Sequence, residues 1–221
     1  MIHQLIFANP KPGMSVKEFQ DYWVNVHAVQ YARKISQIKK YKVNRILAIP
    51  GEDGPIFNGV AEIWLENEQE QLASLESDAF IKGARTDEPN WAAFWQTVSL
   101  DTYSYDKILD DRDPEYKLLF LMKRKEGIPL DIFRKYLSDS IIKQFEEIND
   151  IRQLTLSIVK DSFYEIGEAP FDAALHIWLE DYRTAAMILK DANFQTVYTE
   201  LKKAVNSRYL YKLLCQENRI F

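Results

Sequence analysis

The chain has 221 residues, of which 47% are hydrophobic and 13% aromatic, and its formal net charge at pH 7 is −5. This composition predicts a folded globular protein, and an acidic chain with only short, scattered basic runs argues against a nucleic-acid partner. The apolar stretches fall far short of the roughly 20 residues that span a bilayer, and the N-terminus lacks a signal-peptide pattern, so we expect a cytoplasmic protein without membrane contact.

The first half of the chain contains six predicted elements. The apolar run IHQLIFA predicts a strand, and residues 15–35 predict a helix, because apolar side chains recur there at helical spacing after the capping-box pattern Ser15-x-x-Glu18. The segments YKVNRILAI and VAEIWLE predict two strands on either side of the loop IPGEDGP. A second helix at QLASLESDAF and a strand at WQTVSLDTYSY complete the order β-α-β-β-α-β, which is typical of a ferredoxin-like unit.

The same unit is predicted a second time. The segment FNGVAEIWLEN starts at residue 57, and the similar segment FDAALHIWLED starts 114 residues later, at residue 171. Further matches at this offset are Gly13 with Gly127, Phe19 with Phe133, Tyr22 with Tyr136, Leu75 with Leu189 and Phe80 with Phe194. We therefore predict a duplicated domain, with copy one at residues 1–110 and copy two at residues 111–221, joined within the acidic segment DKILDDRDPE.

The third strand of each copy predicts how the copies combine. One face of this strand is apolar and suits packing on helices, whereas the other face carries Glu62 and Trp64 in copy one and His176 and Trp178 in copy two. Helices on one side only would leave these tryptophans in water, so we expect the two sheets to face each other. The predicted fold class is α+β, with two ferredoxin-like units that form an intramolecular, pseudo-dimeric α/β barrel. We expect a monomer.

Several segments of copy one resemble a known family. The segment KPGMSVKEFQDYWVNVHA, together with YKVNRI, FNGVAEIWLEN and TDEPNW, resembles the EthD-type domain of the dimeric α/β-barrel superfamily. The resemblance covers most of copy one. Copy two keeps the frame but has Ile141 and Leu201 at the positions of His27 and Asp87. The superfamily includes monooxygenases, isomerases, polyketide cyclases, decarboxylases and haem-handling enzymes, so the resemblance implies a fold rather than a reaction.

His27 is the first candidate for chemistry. It lies four residues after Trp23 on the same side of the helix, so its ring can reach the end of the sheet. An imidazole there can exchange a proton at neutral pH, whereas the alternative is a helix-end histidine bonded to backbone carbonyls. Asp87, in RTDEPNW, is the candidate that orients or charge-balances His27. Its alternative role is that of a turn or cap residue.

Glu62 is the second candidate, because burial between apolar neighbours raises the pKa of a carboxyl group unless a cation pairs with it. His176 replaces Glu62 in copy two and is the candidate partner across the barrel, or the two form a purely structural hydrogen bond. Four tryptophans are candidates for the wall of a small-molecule cavity, with a role in the core as the alternative: Trp64, Trp91, Trp95 and Trp178. His3 begins a strand, and we expect it to be exposed.

The sequence contains no HExxH, CxxC, G-x-S-x-G, G-x-G-x-x-G or P-loop motif, so we expect no metal and no cofactor, with haem as a less favoured alternative. The leading hypothesis is a cofactor-free lyase, cyclase, isomerase or decarboxylase that moves a proton next to the carbonyl group of an aromatic or polyketide-like metabolite. The predicted catalytic residues are His27, Asp87 and Glu62, and His176 and the four tryptophans bind the substrate. The alternatives are a haem-linked or cofactor-free oxygenase and a protein that carries a hydrophobic metabolite unchanged.

Overall fold

The computed structural model describes residues 1–110, 112–165 and 167–221, so residue 111, where copy two is predicted to begin, lies outside the described residues. The described residues form two compact units. Unit one contains Met1–Ile46, Pro55–Thr102 and Glu217–Phe221, and unit two contains Leu47–Gly54 and Tyr103–Gln216.

Copy one follows the predicted order of elements. Its strands are β1 (Ile2–Ala8), β2 (Ile38–Leu47), β3 (Gly59–Leu65) and β4 (Val98–Ile108). Its helices are α1 (Val16–Tyr22), which continues as the π-helix Trp23–Tyr31 and the 3₁₀ turn Ala32–Lys34, then α2 (Glu68–Glu76), the π-helix Ala79–Ala84, α3 (Arg85–Asp87) and the 3₁₀ turns Glu88–Asn90 and Phe94–Gln96. Antiparallel pairing gives the strand order β4-β1-β3-β2.

Copy two repeats this arrangement. Its strands are β5 (Tyr116–Arg124), β6 (Ile151–Val159), β7 (Ala173–Leu179) and β8 (Val205–Arg219). Its helical segments are α4 (Leu130–Tyr136), the π-helix Leu137–Ile141, α5 (Ile142–Glu146), the 3₁₀ turn Asp161–Tyr164, α6 (Tyr182–Met187), the 3₁₀ turn Ile188–Lys190 and α7 (Ala192–Ala204). Antiparallel pairing gives the strand order β8-β5-β7-β6.

The first helix of copy one begins as the sequence predicts. The Ser15 hydroxyl accepts a hydrogen bond from the backbone N–H of Glu18, and the Glu18 carboxylate accepts one from the backbone N–H of Ser15. The turn before the helix contains Gly13, whose φ is +85°, and its counterpart Gly127 has a φ of +84°. This left-handed conformation favours glycine, so the two matched glycines make the same turn in both copies.

The strand register also repeats. The ladder between β1 and β3 begins with Ile2 opposite Leu65, and the ladder between β5 and β7 begins with Tyr116 opposite Leu179. Both partners are thus displaced by the same 114 residues. The strands β2 and β6 each carry a register shift near their start. The predicted duplication is therefore present in the hydrogen bonding of the backbone.

Each unit has its own hydrophobic core. In unit one, the predicted apolar face of β3 belongs to a buried cluster with Phe19 and Trp23 from the first helix. The core of unit two contains Phe133, Ile141 and Leu201.

Among the described residues, no helix combines the length and the apolar character that crossing a membrane would need.

Candidate functional site

His27 and Asp87 meet in unit one. His27 lies on the π-helix that continues α1, and Asp87 is the last residue of α3. Nδ1 of His27 lies 2.9 Å from Oδ2 of Asp87, and the two residues are only 6% and 3% exposed. π-Helical turns occur frequently at functional sites. The structure thus brings together the histidine and the carboxylate that the sequence singles out.

Three donors hold the Asp87 carboxylate. In addition to His27, the Tyr22 hydroxyl donates to Oδ1 at 2.8 Å, and Nδ2 of Asn90 donates to the same oxygen at 3.1 Å. Burial by itself would raise the pKa of Asp87, but these hydrogen bonds outweigh it and hold the pKa below its ordinary value. Burial and the adjacent carboxylate raise the pKa of Tyr22 to about 12, so Tyr22 stays a donor. Asp87 is therefore ionised at neutral pH.

Burial determines the charge of His27. It lowers the pKa of the imidazole below the ordinary value of 6.5, although the hydrogen bond and the charge of Asp87 act in the opposite direction. His27 is therefore neutral at pH 7. Because an ionised carboxylate can only accept, the ring proton of His27 lies on Nδ1, and Nε2 keeps its lone pair. No described residue forms a hydrogen bond with Nε2, so this atom is available to a ligand.

A cavity of about 250 Å³ lies next to this pair, lined by His27 and by residues of the first helix and the sheet of unit one. Small side chains keep the space open, since the lining includes Ala8, Ala32, Ala61, Ala84 and Ala92. The cavity lies on the helix-facing side of β3. Because side chains alternate along a strand, this is the side opposite to Glu62 and Trp64, the residues that the sequence assigns to a pocket.

Three aromatic residues line the cavity near His27. The ring of Trp91 is centred 4.7 Å from the ring of His27, and the rings of Trp91 and Trp23 are also 4.7 Å apart. Nε1 of Trp23 donates a hydrogen bond to the Tyr41 hydroxyl at 3.1 Å. Aromatic surface with a few polar groups is typical of a small-molecule site.

An ion pair also belongs to the cavity lining. Nη1 of Arg85 lies 2.7 Å from Oε2 of Glu88. Burial raises the pKa of Glu88, and the neighbouring guanidinium of Arg85 only partly opposes this effect. The lining therefore combines one histidine, one ion pair and a mostly apolar surface.

Glu62 takes part in a separate polar cluster on the other face of the sheet. Its carboxylate lies 3.1 Å from Nε2 of His3 and accepts a hydrogen bond of 2.8 Å from Nδ2 of Asn44. The ring of His3 stacks on Trp64 at 4.1 Å. The expectation that His3 is exposed is wrong: it is 2% exposed, because its ring packs on Trp64 and contacts the Glu62 carboxylate.

The lining of the His27 cavity includes none of the remaining predicted site residues. In unit two, Nε2 of His176 lies 3.2 Å from the Ser157 hydroxyl, and the ring of His176 stacks with Trp178 at 5.6 Å. Trp95 is 61% exposed in the short turn Phe94–Gln96 and does not belong to the lining. The roles of these residues, and the pairing of Glu62 with His176, stay predictions.

Sequence reasoning missed three polar groups of this site. Tyr22 and Asn90 hold Asp87, and Tyr41 joins the wall through Trp23. Asn90 follows Asp87 by three residues, a spacing that allows a contact across one turn, and this was the only available signal. The contacts of Tyr22 with Asp87 and of Tyr41 with Trp23 depend on tertiary packing.

Solved structures share the fold over almost the whole chain. A proposed monooxygenase from Fusobacterium nucleatum is 10% identical over 98% of this chain and 91% of its own, with a TM-score of 0.61. An anthrone oxidase-like protein is 9% identical over 99% of this chain and 92% of its own, with a TM-score of 0.66. These likenesses show the fold alone. They confirm the predicted fold class, α+β with two ferredoxin-like units in one chain.

Copy one is similar to a known family. Residues 11–94 match the family model of the EthD domain. An EthD family protein from Bacillus halodurans is 22% identical over 46% of this chain and 96% of its own, with a TM-score of 0.38. No curated protein sequence matches the chain. The first copy is thus similar to EthD domains, as the resemblance of the sequence implies.

Proposed function

We propose that the chain is a cofactor-free small-molecule enzyme that moves a proton at a carbon atom next to a carbonyl group. One observation carries this proposal: a buried, neutral His27, held by the ionised Asp87, lines a mostly apolar cavity. Nε2 of His27 would take the proton and return it to another position of the compound. The positive charge that forms on the ring would be stabilised by Asp87, which acts as a positioning residue.

The size of the cavity limits the compound. At about 250 Å³ it is smaller than the roughly 300–1,000 Å³ of sites for drug-sized ligands. A compound with one ring suits this space better than a long polyketide. A haem does not fit, so we assign no step to haem. Reactions of the isomerase, cyclase, lyase and decarboxylase classes all share the proposed proton transfer.

Hydrogen exchange tests the proposal without knowledge of the natural substrate. Acetophenone carries a methyl group next to a carbonyl on a single ring, and in D₂O its methyl protons exchange for deuterium when a base removes them. We expect the protein to accelerate this exchange, as followed by proton NMR. His27→Gln should lower the protein-dependent rate by about 10²-fold or more, because it removes the base.

The control is a carboxylate that lies outside the cavity lining. Asp78 is exposed and pairs with Lys82 at 2.8 Å. Asp78→Asn should leave the rate unchanged, whereas Asp87→Asn should lower it, because an amide can no longer stabilise the charged imidazole. A folded His27→Gln protein with the rate of the wild type would remove His27 from the mechanism.

Oxidation of the same type of compound is the second candidate function. The names of two solved structures of this fold, a proposed monooxygenase and an anthrone oxidase-like protein, favour it. Removal of a proton by His27 would give an electron-rich anion that can react with oxygen. Oxygen consumption that requires both the compound and His27 would support oxidation, and so would a visible absorption band of the purified protein. Exchange without oxygen consumption would support the first proposal.

A carrier of hydrophobic metabolites is the third candidate. The mostly apolar lining supports it equally well, and a carrier does not need the base. Binding of a compound that is as tight in His27→Ala as in the wild type, without any exchange, would identify a carrier.

A further inference from the structure

The lining of the His27 cavity has a buried part and an exposed part. His27, Trp23 and Trp91 are at most 6% exposed, and so are the five alanines of the lining. Leu75 and Phe94 belong to the same lining, but they are 46% and 42% exposed. These two side chains therefore form an apolar rim at the side where the cavity opens to water.

Apolar surface continues from the rim on both sides. Leu72 precedes Leu75 by three residues in α2, so the two side chains share one face of this helix, and Leu72 is 62% exposed. On the other side, the ring of Trp95 lies 5.4 Å from the ring of Phe94, edge to face, and Trp95 is 61% exposed. An extension of a bound molecule beyond the rim would therefore contact further apolar side chains.

The rim favours a neutral extension over a charged one. A charged group next to Leu75 and Phe94 would lose part of its hydration without gaining a partner. The other exposed residues of the lining are Thr97 and Ser99, which are neutral, and Arg85, whose guanidinium already pairs with a carboxylate of the lining at 2.7 Å. The opening of the cavity thus offers apolar contact and little unpaired charge.

Covering the rim is favourable, because the removal of apolar surface from water stabilises a complex. The cavity of about 250 Å³ suits a compound with one ring. A ring in the buried part leaves the rim in contact with water, whereas a chain attached to that ring can extend over it.

We propose that the compound bound in this cavity carries an alkyl chain, or another neutral apolar extension, that leaves the cavity along Leu75 and Phe94. This inference rests on the proposed function for the ring and the carbonyl group, and it adds the part of the substrate outside the buried cavity. Leu75 and Phe94 are then the residues that determine the specificity for the chain. Trp95 contacts the end of the chain.

Three ketones test the rim by binding alone. Acetophenone has no chain, 4′-butylacetophenone has an alkyl chain opposite the carbonyl group, and 4′-(2-methoxyethyl)acetophenone has a chain of the same length with an ether oxygen in place of one methylene group. We expect the wild type to bind the butyl compound about tenfold more tightly than acetophenone, because each buried methylene group strengthens binding about fourfold and the rim covers only part of the chain. The ether should gain about threefold or less.

Variants locate the gain that the butyl chain gives. Leu75→Ser and Phe94→Ser should lower the affinity for the butyl compound towards that for acetophenone and leave the affinity for acetophenone within about threefold. Ile132→Ser is the matched control, because Ile132 is an exposed apolar residue of α4, outside the lining. It should change neither affinity.

NMR of the wild type locates the chain without a change at the rim. The chain has five tryptophans, so its indole N–H signals can be resolved with ¹⁵N labelling. The signal that Trp95→Phe removes should shift with the butyl compound and stay in place with acetophenone. This measurement decides the question even if a rim variant does not fold, and a Trp95 signal that stays in place with the butyl compound would contradict the inference.

Several outcomes would overturn the proposed role of the rim. These are equal affinity of the wild type for acetophenone and the butyl compound, no binding of the butyl compound, a gain that survives in both rim variants, and an equal loss in Ile132→Ser. A dimer of the wild type that Leu75→Ser or Phe94→Ser dissociates would also overturn it, because the rim would then be an interface between two copies of the chain.

The same ketones separate this inference from the proposed function. His27→Gln should keep the gain from the butyl chain while it loses hydrogen exchange. A protein that shows the gain but never exchanges the protons of the ketone would keep the rim and overturn the proposed reaction. Exchange that depends on His27, without any gain from the chain, would keep the reaction and overturn the rim.

Discussion

Two opposing influences act on His27. Burial favours the neutral imidazole, and Asp87 at 2.9 Å favours the charged one. The balance leaves His27 neutral at physiological pH. The ionised carboxylate of Asp87 is already in place to stabilise the imidazole once it becomes protonated. A base in this state is charged only when it has taken a proton from a ligand, which is the requirement for proton transfer at neutral pH.

The lowered pKa of His27 predicts the pH dependence of the reaction. The protein-dependent exchange rate should be constant from about pH 8 down through 6.5, the ordinary pKa of histidine, and should fall only at lower pH, where the ring becomes protonated. A profile of exchange rate against pH checks this. A midpoint at or above 6.5 would show that Asp87 outweighs burial.

The same shift affects stability. Because the folded pKa of His27 is depressed, the unfolded chain takes up a proton first as the pH falls. The contribution of His27 to the free energy of unfolding is therefore fully present above about pH 6.5 and is lost as the pH falls towards the folded pKa. The variant His27→Gln should lack this part of the pH dependence in chemical denaturation.

At the residue level, the sequence predicted which side chains could carry the chemistry better than it predicted which residues contact and bury them. His27 and Asp87 stand out because their residue types and motif fit acid–base chemistry. The buried position of His3 was missed, because its place near the start of a strand gives no sign that Trp64 and Glu62 of another strand contact its ring.

Among the elements, β3 and the first helix fit each other closely at one point. A Cβ atom added to Gly59, the first residue of β3, would lie 2.7 Å from the ring of Trp23 and 3.2 Å from Phe19. The corresponding positions of copy two, 114 residues on, are Ala173 and Leu137. Copy one thus combines a glycine in the strand with a tryptophan in the helix, and copy two combines an alanine with a leucine. The volumes of the two side chains are therefore matched within each copy.

Gly59→Ala should therefore destabilise the protein by about 1–3 kcal/mol, the usual cost of overpacking a core. Gly54→Ala is the control, since nothing lies within 4 Å of a Cβ atom there, and its effect should be small. The double variant Gly59→Ala with Trp23→Leu should cost less than the sum of the two single variants, by about 0.5 kcal/mol or more. Urea denaturation of the wild type and of the four variants measures these effects. Additive effects would mean that the two positions are not coupled.

The order of the elements was predictable because hydrophobic periodicity and turn residues determine it. The π-helix at Trp23–Tyr31 was not, because a spacing of three and four residues fits an α-helix as well. The location of the cavity also escaped prediction. Its cause is a set of alanines from separate elements, and a single alanine in a sequence does not indicate an empty space.

At the level of the whole molecule, duplication allows the two copies to be compared position by position. Ile141 and Leu201 replace the histidine and the aspartate of copy one, and both lie in the core of unit two. The alanines Ala8 and Ala61 correspond to Met122 and Leu175, which are fully buried. Copy two thus has larger, apolar side chains where copy one has its polar pair and its space.

Placing the copy-two residues at the matching positions of copy one should remove the catalysed exchange and keep or raise the stability of the protein. The double variant His27→Ile with Asp87→Leu should lose the catalysed exchange, and its free energy of unfolding should equal that of the wild type or exceed it by roughly 1–4 kcal/mol, because a buried polar pair is replaced by apolar groups. His27→Ile alone should be destabilising, because Asp87 loses one of its three donors. Thermal and urea unfolding compare the three proteins. A large loss of stability in the double variant would mean that the pair also holds the fold together.

The two β-ladders share one register, so each residue in the strands of one copy can be compared with the residue at the matching position of the other copy. For the paired strands β1 with β3 and β5 with β7, adding 114 to a residue number gives a position with the same backbone neighbours and a different evolutionary outcome. Each such pair is a substitution that this backbone has already accepted. A library built only from these internal exchanges would sample changes with an existing structural precedent, and the exchanges that fail would mark the positions where one copy has specialised.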